Sequence, residues 1–300
     1  MIDKEPDIPP PILKAIENRG LSIFIGAGAS QVIGCWSWEK LATELIEKCC
    51  KKECINYRQR QILSGSNDYK KIITICRSIL EEKGLKKDFL ETIVAGCRGD
   101  EEKKKKANIY QELIRIPALY VTTNFDENFD EWFHADRVVF REEGFRPELV
   151  IDEKLYHIHG SIKDYDTLVL TVPEYNKRYR FEHFRNFMRR IFSEKVILFI
   201  GYGMAEYEIL DFLITTLEVE RQKEARFILL PYYKGYEDIV DFDQHYFGEM
   251  GVIVVPYEYD DKGYEQLFDV IKSWNNKIES VSPYPYKKMR EIDEVVDTPW

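Results

Sequence analysis

Four short stretches of this 300-residue chain combine small residues with groups that can hold an anion or move a proton. Phe24-Ile-Gly26-Ala27-Gly28-Ala-Ser30 follows an apolar run and precedes a helical pattern. Gly26, Ala27 and Gly28 let backbone N–H groups approach a phosphate closely, and Ser30 adds a hydroxyl near the helix start. Thr122-Thr123-Asn124-Phe-Asp126 offers a neutral amide and a carboxylate. His157-Ile-His159-Gly160-Ser161 offers an imidazole that titrates near working pH and can act as acid or base. Gly201-Tyr-Gly203 completes the set. Each stretch also has a plainer reading: a tight turn, Asn124 and Asp126 capping a helix near Glu127, a hydrogen-bonded core histidine, or room for packing. His157 and His159 share a strand face, so H-x-H also allows a metal chelate, but no acidic or cysteine partner stands nearby. Gln31 stands where a G-x-G-x-x-G dinucleotide fingerprint needs its third glycine, which weakens a dehydrogenase reading.

The elements that must carry these groups give them weight. Each stretch follows a short, nearly continuous run of Ile, Val, Leu and Phe, at residues 21–25, 119–122, 155–158 and 196–200. Two more such runs lie at 227–230 and 252–255. Runs of this kind suit strands buried on both faces of a parallel sheet. Helical patterns over 181–193, 206–220, 236–247 and 264–274 alternate with the later runs. The expected fold is therefore α/β, a Rossmann-like, doubly wound and mostly parallel sheet. Ligands of such sheets bind beyond the carboxyl ends of the strands, which is where all four stretches fall. A helically patterned segment over about 38–115 breaks the alternation and reads as an insertion packed over the sheet's edge. Within it, Glu101–Lys106 (EEKKKK) reads as a solvated loop. The expected domains are a lead-in over 1–20, one domain over 21–278 carrying the insertion, and a tail over 279–300.

Composition narrows the classes of function. A net charge of −10 argues against coating nucleic acid, whose backbone attracts positive surface. No signal peptide and no membrane-spanning run is read from the chain. Cys35, Cys49, Cys50, Cys54, Cys76 and Cys97 form no C-x-x-C pair and have no matching histidine spacing, so they read as reduced cytosolic thiols without zinc.

The ordered set GAGAS, TTNFD, HGS and FIGYG resembles the SIR2-like (sirtuin-type) NAD-consuming domains, over roughly Leu21 to Trp274. Trp38-x-x-Leu41 and Leu170-Thr-Val-Pro-Glu-Tyr175 are secondary echoes. The resemblance is closer to bacterial SIR2-like NAD glycohydrolases of antiviral defence than to protein deacetylases. Deacetylases carry a four-cysteine zinc module after the HG strand. Here about forty residues separate His159 from Gly201, and none is cysteine. The deacetylase D-F-R is also replaced by Cys35-Trp-Ser-Trp38. The resemblance implies NAD as substrate, no metal, and Asn124 and His159 as catalytic residues. It implies contacts to NAD from Gly26, Ala27, Gly28, Ser30, Thr123, Asp126, Gly201 and Gly203, with Asp126 accepting from the nicotinamide carboxamide. Cleavage of the nicotinamide–ribose bond through an oxocarbenium-like transition state suits these groups. The expected activity is release of nicotinamide and ADP-ribose, as an NAD-depleting effector of anti-phage defence in the cytoplasm. A homo-oligomer or a regulatory partner, ATPase or Argonaute-like, would keep it silent. The alternatives are a sensor that binds NAD or ADP-ribose, a cyclase, or a deacylase.

Overall fold

β1 (Leu21–Ile25) is buried at all five positions, so it must lie inside a sheet covered on both faces. A computed structural model describes residues 3–150, 152–203, 209, 212–213, 226–260 and 262–281 of the chain. Beside β1, the strands are β2 (Leu119–Thr122), β3 (Val138–Val139), β4 (Leu155–His157), β5 (Val196–Ile200), β6 (Arg226–Tyr232) and β7 (Ile253–Glu258). Among the described residues they form one sheet in the order β3-β4-β2-β1-β5-β6-β7, with every pairing parallel. The chain steps outward from β1 through β2 on one side and through β5 on the other. The crevice above β1 and β5 is the switch point at which doubly wound sheets bind ligands.

Two apolar layers cover this sheet. On one face Ile23, Ile25, Tyr120, Leu198 and Leu229 meet α1 (Pro10–Glu17), α2 (Ala27–Val32), α8 (Ile109–Leu113) and α12 (Glu265–Val281). On the other, Phe24, Val121, Tyr156 and Phe199 meet α10 (Glu182–Glu194), which contributes Phe184, Phe187, Met188, Ile191 and Phe192. α11 (Glu237–Gly248) adds Val240 and Phe247 to that layer.

A third core lies apart from the sheet. α3 (Trp38–Lys51), α5 (Tyr69–Glu82) and α6 (Lys86–Cys97) bury Leu45, Ile46, Ile72, Ile73, Leu80, Phe89 and Ile93 against one another. α4 (Tyr57–Ser64) lies between α3 and α5 in the chain and adds Leu63 to this core. The starts of α3 and α5 are each fixed by a short polar side chain. Ser37 accepts from Lys40 N (3.1 Å) and Asp68 from Lys71 N (3.0 Å). Leu168 and Leu170, from the segment after β4, belong to the same core, and Phe125 and Ile162 pack against it. The helical layer therefore sits over the carboxyl ends of β2 and β4, not over the sheet's edge as its pattern predicts. The strand-end loops supply the apolar side chains that it lacks elsewhere.

Other boundaries move for local reasons. EEKKKK is helix α7 (Glu101–Lys106), not a loop. Asp100 caps it by accepting from Lys103 N (2.9 Å), and Glu101–Lys104 and Glu102–Lys105 pair along it, while none of its residues is buried. Within the expected lead-in, α1 buries Ile12, Ala15 and Ile16 in the core. No helix starts near Glu127; the chain continues through a 3₁₀ turn at Asp130–Trp132. The helix expected over 206–220 lies outside the described residues except for 209, 212 and 213, where Ile209, Phe212 and Leu213 are buried. Residues 282–300 of the expected tail also lie outside them.

Candidate active site

At the switch point two loops meet backbone to backbone. Gly26 N donates to Ile200 O (2.9 Å) and Gly28 N donates to Gly201 O (2.8 Å). A Cβ on Gly26 would come within 2.5 Å of Gly201 O, and one on Gly28 within 2.9 Å of Gly201 Cα. Gly201 has φ +62°, and its own Cβ would fall 2.3 Å from Ala29 N. The glycines are thus required first by one another. The amides of Gly26 and Gly28, expected to face an anion, are instead taken by strand-end carbonyls, so of the three only Ala27's remains for that role. Gly201→Ala should cost more than about 1–2 kcal/mol, the left-handed penalty alone, before its clash with α2 is counted. A urea titration measures this, and an unchanged midpoint would mean that the loops separate easily.

Asn124, Ser30 and Asp126 form a second, buried cluster. Asn124 Nδ2 donates to Gly26 O (3.0 Å) and to Ser30 Oγ (2.8 Å). Ser30 donates its single proton to Asp126 Oδ2 (2.7 Å), so the Tyr110 hydroxyl, 2.7 Å away, must donate to Ser30. Asp126 Oδ1 accepts from Asn128 N (3.1 Å) and Nδ2 (2.6 Å). Burial raises the Asp126 pKa, and the donors Ser30 and Asn128 restrain that rise. Ser30, expected near a phosphate, therefore points inward and orients the amide and the carboxylate. Tyr110, stacked on Phe129 at 4.8 Å, is a positioning residue that the motifs do not reveal.

The two histidines have opposite surroundings. His157 is a donor at both nitrogens, to Asn124 O and to Asp130 Oδ1, each at 2.8 Å. Burial opposes its charge, but the hydrogen bond and charge of Asp130 outweigh this and raise its pKa. Asp130 is likewise buried, yet His157 and Lys163 (Nζ to Oδ2, 2.8 Å) hold its pKa down. This buried pair holds the Asn124 backbone. His159 has no exposed surface, and burial first, then the charges of Arg178 and Lys70, push its pKa well below the usual histidine value. Its Nε2 lies 2.9 Å from the Tyr179 hydroxyl.

Two cavities open on these groups. A cleft of about 720 Å³ is lined by Gly26, Ala27, Gly28, Thr123, Gly201 and Gly203 on the sheet side. Lys70 and Tyr175 line it from the helical side. Its size falls in the range of small-molecule sites. A smaller cavity of about 40 Å³ adjoins it, sharing Ala27, Thr123 and Trp38, and is lined by Ser30, Asn124, Asp126, Trp36 and Phe125. His159 lines neither. Among the described residues no group of three His, Cys, Asp or Glu side chains could hold a metal ion, and all six cysteines are free. No helix among them is long and apolar enough to cross a membrane.

A doubly wound parallel sheet whose switch-point glycine loops border an Asn–Ser–Asp cluster defines a Rossmann-like α/β fold. The chain belongs to the SIR2-like domain family, whose signature matches residues 118–268. It is also 23% identical, over 297 aligned residues, to the NAD(+) hydrolase ThsA of Enterococcus faecium. That alignment covers 88% of this chain and 57% of the relative, so the chain spans little more than half of that protein's length.

Proposed function

We propose that the chain is an NAD glycohydrolase, which uses water to cleave NAD into nicotinamide and ADP-ribose. The observation that carries this reading is the Asn124–Ser30–Asp126 cluster, held at the wall of a small cavity that adjoins a dinucleotide-sized cleft. The nicotinamide ring is placed where the small cavity opens into the cleft, with Trp36, Trp38 and Phe125 as apolar walls and Asp126 accepting from the carboxamide. The cleft suits the remainder of NAD, with Ala27, Thr123, Gly201 and Gly203 along the backbone-lined side. Asn124 orients the ribose or the attacking water without adding charge. His159 takes the proton that water or a ribose hydroxyl gives up, and its lowered pKa keeps it neutral and able to accept. The E. faecium relative is named as an NAD(+) hydrolase, which supports the same reaction here. On this reading the protein depletes NAD in the cytoplasm of an infected bacterium, held silent by self-assembly or by a regulatory partner.

Incubation with NAD followed by chromatography tests the reading. Nicotinamide and ADP-ribose in equal amounts are expected. Nicotinamide with a cyclic ADP-ribose would make it a cyclase, and binding without nicotinamide release would make it a sensor. Chelation is expected to leave the rate unchanged, because no residue in the proposed chemistry needs a metal. Loss of activity with EDTA, restored by zinc, would overturn that assignment.

A further inference from the structure

His159 presents a difficulty for any reaction in the cleft. It has no exposed surface and contributes to neither cavity. Between it and the cleft stands Tyr175, whose ring packs edge-on against the imidazole at 4.9 Å and 71°. Tyr175 is itself part of the cleft wall, whereas Tyr179 lies against the imidazole Nε2. A substrate in the cleft therefore meets Tyr175 before it meets His159.

The backbone of Tyr175 is firmly held. Glu174 accepts from Leu170 N and Thr171 N, each at 2.9 Å, and closes the start of α9 (Val172–Arg180). Glu174 also pairs with Arg77 of α5, and Val172 N donates to Thr74 Oγ1 (3.1 Å). Motion at this point is therefore left to the Tyr175 side chain. The ring is capped by Lys70, whose Nζ lies 3.8 Å from its centroid. Among the described residues lining the cleft, Lys70 is the one lysine or arginine. A cation–π contact contributes about 0.5–2 kcal/mol. A charge-assisted hydrogen bond to a phosphate oxygen is the stronger interaction for the same ammonium group.

We propose that Lys70 and Tyr175 form a gate over His159, which a substrate diphosphate opens by drawing the Lys70 ammonium off the Tyr175 ring. The inference rests on the glycohydrolase reading for its substrate. The gate gives selectivity: a dinucleotide exposes the base, and a nicotinamide nucleoside without phosphate does not. Catalytic power is thereby withheld until the correct part of the substrate is bound.

The test reads His159 accessibility rather than turnover. Diethylpyrocarbonate acylates neutral imidazole, and peptide mass spectrometry follows His159 with exposed His134 as the internal standard. In the parent, His159 should react at least about tenfold more slowly than His134, and inorganic pyrophosphate should raise its rate severalfold. Lys70→Met should abolish the pyrophosphate effect. Tyr175→Ala should raise the His159 rate about tenfold without ligand, and Tyr175→Phe, which keeps the ring, should behave as the parent does. If Tyr175→Ala fails to fold, the Lys70→Met and Tyr175→Phe arms still decide the matter. Equal rates for His159 and His134 in the parent, or an undiminished pyrophosphate effect in Lys70→Met, would overturn the gate. A protein that shows these accessibility changes but never cleaves NAD would overturn the glycohydrolase reading alone.

Discussion

His159→Ala is expected to lower NAD cleavage about 10²–10⁴-fold, the range lost when a positioned acid–base group is removed. Its amide proton exchange pattern should stay native. The side chain is buried and uncharged, so its loss leaves no orphaned ion. A thermodynamic signature separates this from a packing defect. Because the folded pKa of His159 lies below its unfolded value, the folded state binds fewer protons than the unfolded state as pH falls through about 6.5. Stability contributed by the neutral ring is present above that pH and is lost below it. The stability difference between parent and variant should therefore shrink between pH 7 and pH 5 in denaturant titrations. A difference independent of pH would mean that folding leaves the His159 pKa unshifted, and one that grows toward pH 5 would mean that the ring is charged in the fold and cannot serve as the base. His157→Ala is the contrasting control. It breaks a buried ion pair with Asp130, so about 3–5 kcal/mol of stability should go with it, and activity falls because the protein unfolds.

Asn124→Ala is expected to reduce turnover by about three orders of magnitude while NAD binding changes by less than about tenfold, or 1.4 kcal/mol. A neutral amide that orients the reacting centre contributes mainly in the transition state, so its removal lowers kcat and kcat/KM together. The hydrogen bonds from Nδ2 to Gly26 O and Ser30 Oγ set a secondary cost in stability, of about 1–3 kcal/mol if those acceptors stay dry. The backbone position survives, because His157 holds the Asn124 carbonyl independently of the side chain. Calorimetric titration beside a turnover assay measures both quantities. Parallel loss of binding and turnover would make Asn124 an anchor for substrate and move the chemistry elsewhere.

The central strands were legible in the residues because burial on both faces leaves mostly apolar side chains, and such runs need no partner to be recognised. β3 was not, since Val138–Val139 is two residues long and only half-buried at the sheet's margin. α9 was hidden for the opposite reason. Its buried residues are Tyr175 and Arg178, which read as polar, and Arg178 is satisfied by donating to Ile158 O (3.0 Å), well outside its own helix. The motifs marked where the candidate site lies, because glycines, Asn124 and Asp126 all follow strand ends. They could not reveal which way each group faces. Ser30 points inward because Tyr110, eighty residues later, reaches it, and His159 is hidden because Tyr175 covers it. Contacts between segments distant in the chain leave no periodicity to read.

The interlock of Gly26 and Gly28 with Gly201 bears on how such a protein can change over generations. Where two loops touch through bare backbone, nearly every point mutation is a steric insult, so that wall of the cleft is frozen. The opposite wall is built by side chains of the helical layer, among them Glu39 and Asn67, and can be exchanged with little penalty. Diversification of what the cleft accepts should be written on that movable wall, with the glycine floor inherited intact beneath it.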